Sequence, residues 1–351
     1  MRLSEHDRPT RTHYVILMMA WAGWLFDFYD LVLYTFLLAP IGRELGFGRP
    51  EHAWILGVSL GATAAGGLAF GSLADRFGRK KVLQWTILTY SAGALMSGLA
   101  GGLPALLVAR IITGLGVGGE WATGHSLVSE VFPPRLRGRF GALMQTGAPL
   151  GVGMAAIMGS FVAPAIGWRL TFIVSALPAL MVTVIRRWVP ESDVWVEASA
   201  TPEGRARLRP ASTLPALFGR GMASRTLRAF VLTALNMSAY WFTFSWLPTY
   251  LREERGLGVA KSGLWILVIV CGELAGYMSF GLASDRWGRK PAFTLYASLM
   301  GMGLLAITIG WDVVSSDTRL LLASTSVVGI GTGTWSNFGP FFSELFPTRL
   351  R

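Results

Sequence analysis

Apolar runs of about 18 residues or more alternate with short polar segments from Tyr14 to Phe346. Each such run predicts a membrane-spanning helix, because lipid offers backbone N–H and C=O groups no partner outside the helix itself. The pattern predicts ten spans: 14–41, 53–73, 82–101, 104–131, 139–163, 168–188, 228–251, 261–283, 291–311 and 320–345. The longest polar stretch, from about Arg186 to Arg228, contains Glu-Ser-Asp, Pro-Glu-Gly and a cluster of arginines, and it divides the spans into six and four. It reads as a cytoplasmic linker with little fixed structure. The expected organisation is a six-helix bundle over 1–188, a linker over 189–227 and a four-helix bundle over 228–351.

Composition supports this picture. Of 351 residues, 52% are hydrophobic and 15% charged, where a soluble domain carries about 25% charge. A soluble enzyme is excluded. The single cysteine, Cys271, rules out a disulfide scaffold, and no Cys/His spacing suggests a metal. Nor is the N-terminus a cleavable signal, since its apolar run extends to Ile41 and contains Asp27 and Asp30.

The net charge of +11 would suggest nucleic acid in a soluble chain. With the N-terminus in the cytoplasm, however, 23 of the 31 Lys and Arg fall in cytoplasmic segments and 7 outside, leaving Arg110 within the fourth span. The excess therefore sets orientation by the positive-inside rule, and no nucleic acid is needed. A multi-pass protein of the cell (inner) membrane is expected, surrounded by lipid. No nucleophile–base pair or phosphate-binding loop survives placement on the spans, so no enzyme activity or cofactor is expected.

The chain repeats itself. Gly71-Ser-Leu-Ala-Asp75-Arg76-Phe-Gly78-Arg79-Lys80 recurs as Gly281-Leu-Ala-Ser-Asp285-Arg286-Trp-Gly288-Arg289-Lys290, at an offset of 210. Glu130-Val-Phe-Pro-Pro-Arg-Leu-Arg137 recurs as Glu344-Leu-Phe-Pro-Thr-Arg-Leu-Arg351, at an offset of 214. Two matches in one order indicate two homologous halves, the parallel repeat of a transporter.

The duplicated G-x-x-x-D-R-x-G-R-K loop closely resembles the signature of the major facilitator superfamily, and the resemblance covers the whole chain. It implies an all-α membrane protein of two pseudo-symmetric bundles around a central cavity, with alternating access. About ten of the usual twelve helices are present, so a C-terminally truncated form is expected. The resemblance also implies that Asp75 and its symmetry mate Asp285 gate the cytoplasmic face, Asp75 against an eleventh helix that the sequence does not supply. Arg76, Arg79 and Lys80 can pair with Glu130, and Asp285, Arg289 and Glu344 repeat that arrangement; orientation alone would also require such a cytoplasmic arginine cluster.

Few charges lie inside the spans. Asp27 and Asp30, at i and i+3, sit roughly 60° apart about midway along the first span. A carboxylate there costs several kcal/mol unless it is protonated, paired or facing water. That suits reversible proton binding; alternatively both carboxyls hydrogen-bond neighbouring helices. Arg110 is a candidate to bind a substrate carboxylate or to neutralise the aspartates, or else it snorkels outward. Glu120 lies mid-span in Gly118-Gly119-Glu120-Trp121, and Trp121 and His125 fall near Arg110's direction on the helix. In the second half, Glu273 is the acidic residue placed deep in a span, for coupling or for interhelical hydrogen bonding. Asn236, Tyr240, Trp241 and Asn337 are possible cavity residues, although apolar packing explains the aromatics equally well.

Asp27-Phe-Tyr-Asp30, Arg110, Gly118-Gly119-Glu120-Trp121 and Glu130-x-x-Pro133-x-x-x-Arg137 resemble the organic-acid proton symporters, the aromatic-acid and sialate/carboxylate branches of that superfamily. In the aromatic-acid branch the first motif is Asp-Gly-x-Asp, and the resemblance carries its functional residues onto Asp27, Asp30, Arg110 and Glu130. This chain departs from that motif at Phe28. The implied function is proton-coupled uptake of a small organic anion, driven by the proton gradient, by a monomer. Alternatives are a drug/proton antiporter, faintly suggested by Gly147-Ala-Pro149-Leu-Gly151, and an inactive remnant of a transporter.

Overall fold

The structure is a computed structural model that describes residues 9–133, 140, 143–202, 218–219, 222–337 and 345. All regular secondary structure among the described residues is helical. The chain forms two compact units, Met1–Pro210 and Ala211–Arg351.

In the first unit, α1 (Arg11–Leu45), α2 (Arg49–Phe77), α3 (Arg79–Leu99) and α4 (Leu103–Val131) follow one another with very short connections. Between α2 and α3 the chain turns on Gly78 alone, at φ 99°, a conformation that a Cβ disfavours. Then come α5 (Gly147–Ile157), a π-helical turn over Met158–Val162 and α6 (Ala163–Val174). α6 breaks at Gly167, with φ 83°, so its first residues complete the fifth span and the rest begins the sixth. A 3-10 turn over Leu177–Leu180 leads into α7 (Met181–Trp188).

The second unit contains α9 (Ala223–Trp241), a π-helical turn over Phe242–Trp246, α10 (Leu247–Glu253), α11 (Val259–Trp287) and α12 (Arg289–Thr308). α13 (Trp311–Val314), α14 (Thr318–Gly331) and a 3-10 turn over Thr332–Asn337 follow. Gly288 joins α11 to α12 at φ 89°, as Gly78 joins α2 to α3. Each of the ten expected segments lies on helix over most of its described length. Among the described residues, six helical runs are long and apolar enough to cross a bilayer: Arg11–Leu45, Arg49–Phe77, Leu103–Val128, Leu143–Trp188, Val259–Ser284 and Arg289–Thr308.

The halves also repeat in their packing. α4 packs between α2 and α3, and α14 packs between α11 and α12. A Cβ on Gly114 would lie 2.4 Å from the Ser59 carbonyl oxygen, and one on Gly116 2.5 Å from the Tyr90 amide nitrogen. A Cβ on Gly329 would lie 2.0 Å from the Ile269 carbonyl oxygen, and one on Gly331 2.3 Å from the Met300 amide nitrogen. Ser59 and Ile269, like Tyr90 and Met300, stand 210 residues apart. In lipid, helices associate chiefly by such close backbone packing. The repeated Gly-x-Gly is a third internal match beyond the two loop motifs.

The stretch expected to lack fixed structure carries a helix, α8 (Asp193–Ala200). Its cause is local: the Ser192 hydroxyl accepts from the Trp195 amide at 3.3 Å, a serine N-cap before an acidic first residue. Most of the remaining linker, residues 203–217, lies outside the described residues.

Candidate functional site

In the first unit the charges inside the spans converge. Asp30 of α1 and Arg110 of α4 form an ion pair at 2.7 Å, with side chains 2% and 1% exposed. Arg110 is fixed on its other sides by aromatic faces, its guanidinium carbon lying 5.5 Å from the ring centre of Tyr34 and 5.9 Å from that of Phe172. It therefore points inward to the carboxylate rather than outward to the head groups.

Asp27, one turn before Asp30, is fully buried. Neither of its carboxyl oxygens has a hydrogen-bond partner. The charged groups acting on it are Glu120 and Asp30. Glu120 is also fully buried, accepts from the Thr86 hydroxyl of α3 at 3.3 Å, and leaves its other oxygen without a partner. α1 admits that second oxygen only because residue 23 is glycine: a Cβ there would lie 2.0 Å from it. The buried Tyr90 hydroxyl lies in the field of Asp27, Glu120 and Asp30. The cluster thus sets three carboxyls against one guanidinium. A full complement of charges would leave buried negative charge uncompensated, which a low-dielectric interior does not tolerate.

His125 and Trp121 lie on the same helix beside this cluster. The His125 ring sits 5.6 Å from Trp24 and 5.3 Å from Trp121, and Trp24 meets Phe28 at 4.7 Å. Trp121 is 46% exposed, so this aromatic group has one open edge. Phe28, at the position where the resemblance expects glycine, is buried against Trp24 rather than open to a cavity.

At the end of the unit that carries the loop motif, Arg79 is the hub. It meets Asp75 at 2.9 Å and Glu130 at 3.0 Å, and donates to the Ala74 carbonyl at 2.9 Å. Arg76 instead lies over the Phe77 ring at 5.1 Å, so the expected pairing with Glu130 falls to Arg79. Lys80 contributes its backbone amide, which donates to Glu191 at 3.1 Å, beside the Arg79 amide at 2.9 Å. Glu191 so caps the start of α3, where the helix dipole favours an anion. Ser192 donates to Glu130, and the Trp195 indole donates to the Asp75 carbonyl at 2.7 Å. Gly78 allows close approach, a Cβ there falling 2.2 Å from Glu191, whereas a Cβ on Gly71 would make only ordinary contact with Ala122 at 3.7 Å.

In the second unit Glu273 of α11 is fully buried beside the hydroxyls of Tyr240 and Tyr277. Asn236 donates to the Thr334 hydroxyl at 3.0 Å, and Tyr240 packs on Trp335 at 5.0 Å. Trp241 meets Tyr240 edge-on at 6.0 Å. Arg289 donates to Ser284 at 2.8 Å, as Arg79 does to Ala74. Gly281 has open space where a Cβ would stand, and Arg286 is exposed. Arg137 and Glu344 lie outside the described residues, as do the side chains of Asp285 and Asn337.

Sequence reasoning missed Glu191, Ser192 and Trp195, although Pro-Glu-Ser after a span is a visible helix-end signal. It also missed Tyr90, Thr86 and Gly23, which carry no motif and matter only through the contacts of α1, α3 and α4. Among the described residues, no group of His, Cys, Asp and Glu could hold a metal ion.

Comparison with known proteins gives a consistent picture. The family described as Major Facilitator Superfamily matches residues 19–351. A probable 4-methylmuconolactone transporter of Cupriavidus pinatubonensis is 30% identical over 336 residues, covering 94% of this chain and 76% of the relative. The niacin transporter NiaP of Acinetobacter baylyi is 30% identical over 365 residues, covering 97% and 81%. The crystal structure of a D-xylose-proton symporter is similar in fold, with a TM-score of 0.74 at 20% identity, covering 95% of this chain and 83% of that one.

Proposed function

The chain belongs to the Major Facilitator Superfamily, a family of membrane transporters, and on that premise we propose that it takes up a small organic anion together with protons. The observation that carries this reading is the buried cluster of Asp27, Asp30 and Glu120 around a single Arg110. A proton neutralises a buried carboxyl at far lower cost than desolvating its charge.

The coupling follows from the ion pair. A proton on Asp27 removes the negative charge that would repel an incoming anion beside the pair, and the guanidinium, which stays charged, can then take a second anion alongside Asp30. A substrate carboxylate supplies it. Asp27, without a hydrogen-bond partner, is the proton site of the pair, and Glu120 shares its field. Glu273 is a second proton-binding candidate in the other unit. Trp121, exposed beside Trp24 and His125, offers an aromatic face to a planar substrate, and the names of the two relatives, a muconolactone and a niacin transporter, support a small ring-bearing substrate. The distribution of Lys and Arg supports a cytoplasmic N-terminus, which puts the Arg79–Glu130–Glu191 cluster at the cytoplasmic face as a gate.

The test is proton movement driven by substrate. In proteoliposomes carrying the full chain and an internal pH dye, adding nicotinate or benzoate outside should acidify the lumen. Proton efflux on adding an apolar cation, with no response to either acid, would instead support an antiporter.

A further inference from the structure

A hydrogen bond leads from the charged cluster toward the end of the first unit opposite the Arg79 loop. The Tyr34 hydroxyl meets Nδ1 of His52 at 2.9 Å. Tyr34 is fully buried, and His52, in the first turn of α2, is 7% exposed. Over the Tyr34 ring lies Arg110 at 5.5 Å, and Arg110 holds Asp30 at 2.7 Å. Histidine, phenol, guanidinium and carboxylate thus form one continuous chain of contacts from near the surface to the buried ion pair. We propose that His52 is a proton sensor for that end of the transporter, acting through Tyr34 on the strength of the Arg110–Asp30 pair.

The physics fixes the direction. A neutral His52 can accept the phenol proton at Nδ1, which leaves the Tyr34 ring electron-rich and attractive to a cation. An imidazolium carries hydrogen on both nitrogens, so Nδ1 must then donate and the phenol oxygen must accept. A second positive charge also arrives at the hydroxyl of the ring that Arg110 faces. Both changes loosen Arg110 from Tyr34. The proton comes from water and stays on the imidazole; none passes through the guanidinium. Also facing His52 are the Phe47 ring at 6.0 Å and the backbone around Gly42, next to Nε2. On its own helix turn stand Arg49 and Glu51, whose carboxylate accepts from the Gly48 amide at 2.8 Å. The inference rests on the proposed role of the ion pair and, for the name of the side, on the proposed orientation, under which His52 faces outward.

Coupling between two groups is reciprocal, so the pair must act back on His52. Histidine NMR on the purified full chain, which has four histidines, follows this directly, with the His52 signal assigned by its loss in His52→Gln. Removing the pair in the double variant Asp30→Asn with Arg110→Gln takes away the nearer positive charge. It should raise the proton affinity of His52 at least threefold; an unchanged His52 midpoint would overturn the proposal. In proteoliposomes, His52→Gln should retain nicotinate counterflow but lose its dependence on outside pH. A profile identical to wild type would likewise overturn it. The NMR readout needs no transport. An unshifted His52 in a protein with intact proton-driven uptake therefore defeats only the sensor, whereas a shifted His52 without such uptake defeats the functional reading.

Discussion

Arg110 of α4 and Asp30 of α1 meet at 2.7 Å with both side chains almost wholly buried, while Asp27, one turn away, has no hydrogen-bond partner. Two aspartates three residues apart therefore occupy different chemical positions. One is compensated by a permanent charge, and the other is compensated only when it carries a proton.

The pair should behave as a unit. Arg110→Gln or Asp30→Asn alone leaves a buried group uncompensated and should destabilise the first unit by about 3–5 kcal/mol. The double variant should cost much less than the sum, because both charges leave together. Thermal unfolding in detergent of the four proteins measures the coupling, and additive losses would contradict a direct ion pair.

The repeated close approach makes a steric prediction. Gly114→Leu and Gly329→Leu each drive a side chain into a neighbouring backbone, so neither protein should give a monodisperse peak on size exclusion. Gly57→Leu is the control, since nothing lies within 4 Å of its added Cβ. That variant should express and elute as wild type.

Glu191 accepts two backbone amides at the start of α3. Hydrogen bonds to a charged group are worth about 1.5–3 kcal/mol, and Glu191→Gln keeps the shape while removing the charge. Limited proteolysis over 189–202 should accelerate several-fold in this variant, with transport reduced but not abolished. An unchanged cleavage rate would mean that the α8 segment is held by other contacts.

Much of the architecture is legible in the sequence, because the apolar helices and the repeat follow from length, hydropathy and motif spacing. Arg79 and Glu130 are also legible, since a duplicated motif marks both. Glu191 escaped because a polar stretch between bundles reads as solvent-exposed until its contacts are seen. Whether Arg110 faces Asp30 or the head groups depends on which side of α4 meets α1, and helical periodicity in a span that is apolar on most of its surface does not specify that. The same holds for Tyr90 and Gly23, whose importance lies in the carboxyls that other helices bring beside them.

Glu120 tests how far the cluster depends on charge. Glu120→Gln preserves an acceptor for the Thr86 hydroxyl and removes one of the three carboxyls. The protein should fold with unchanged or slightly higher thermal stability while the pH dependence of uptake shifts. A large loss of stability would indicate that Glu120 is ionised and compensated, contrary to the charge count.

The most direct measurement compares wild type with Asp27→Asn in proteoliposomes under an imposed pH gradient, acid outside. Wild type should accumulate labelled nicotinate well above equilibrium. Asp27→Asn should lose at least tenfold of that accumulation while still exchanging nicotinate across the membrane without a gradient. Equal gradient-driven accumulation in the two proteins would contradict the assignment of Asp27 as the proton site.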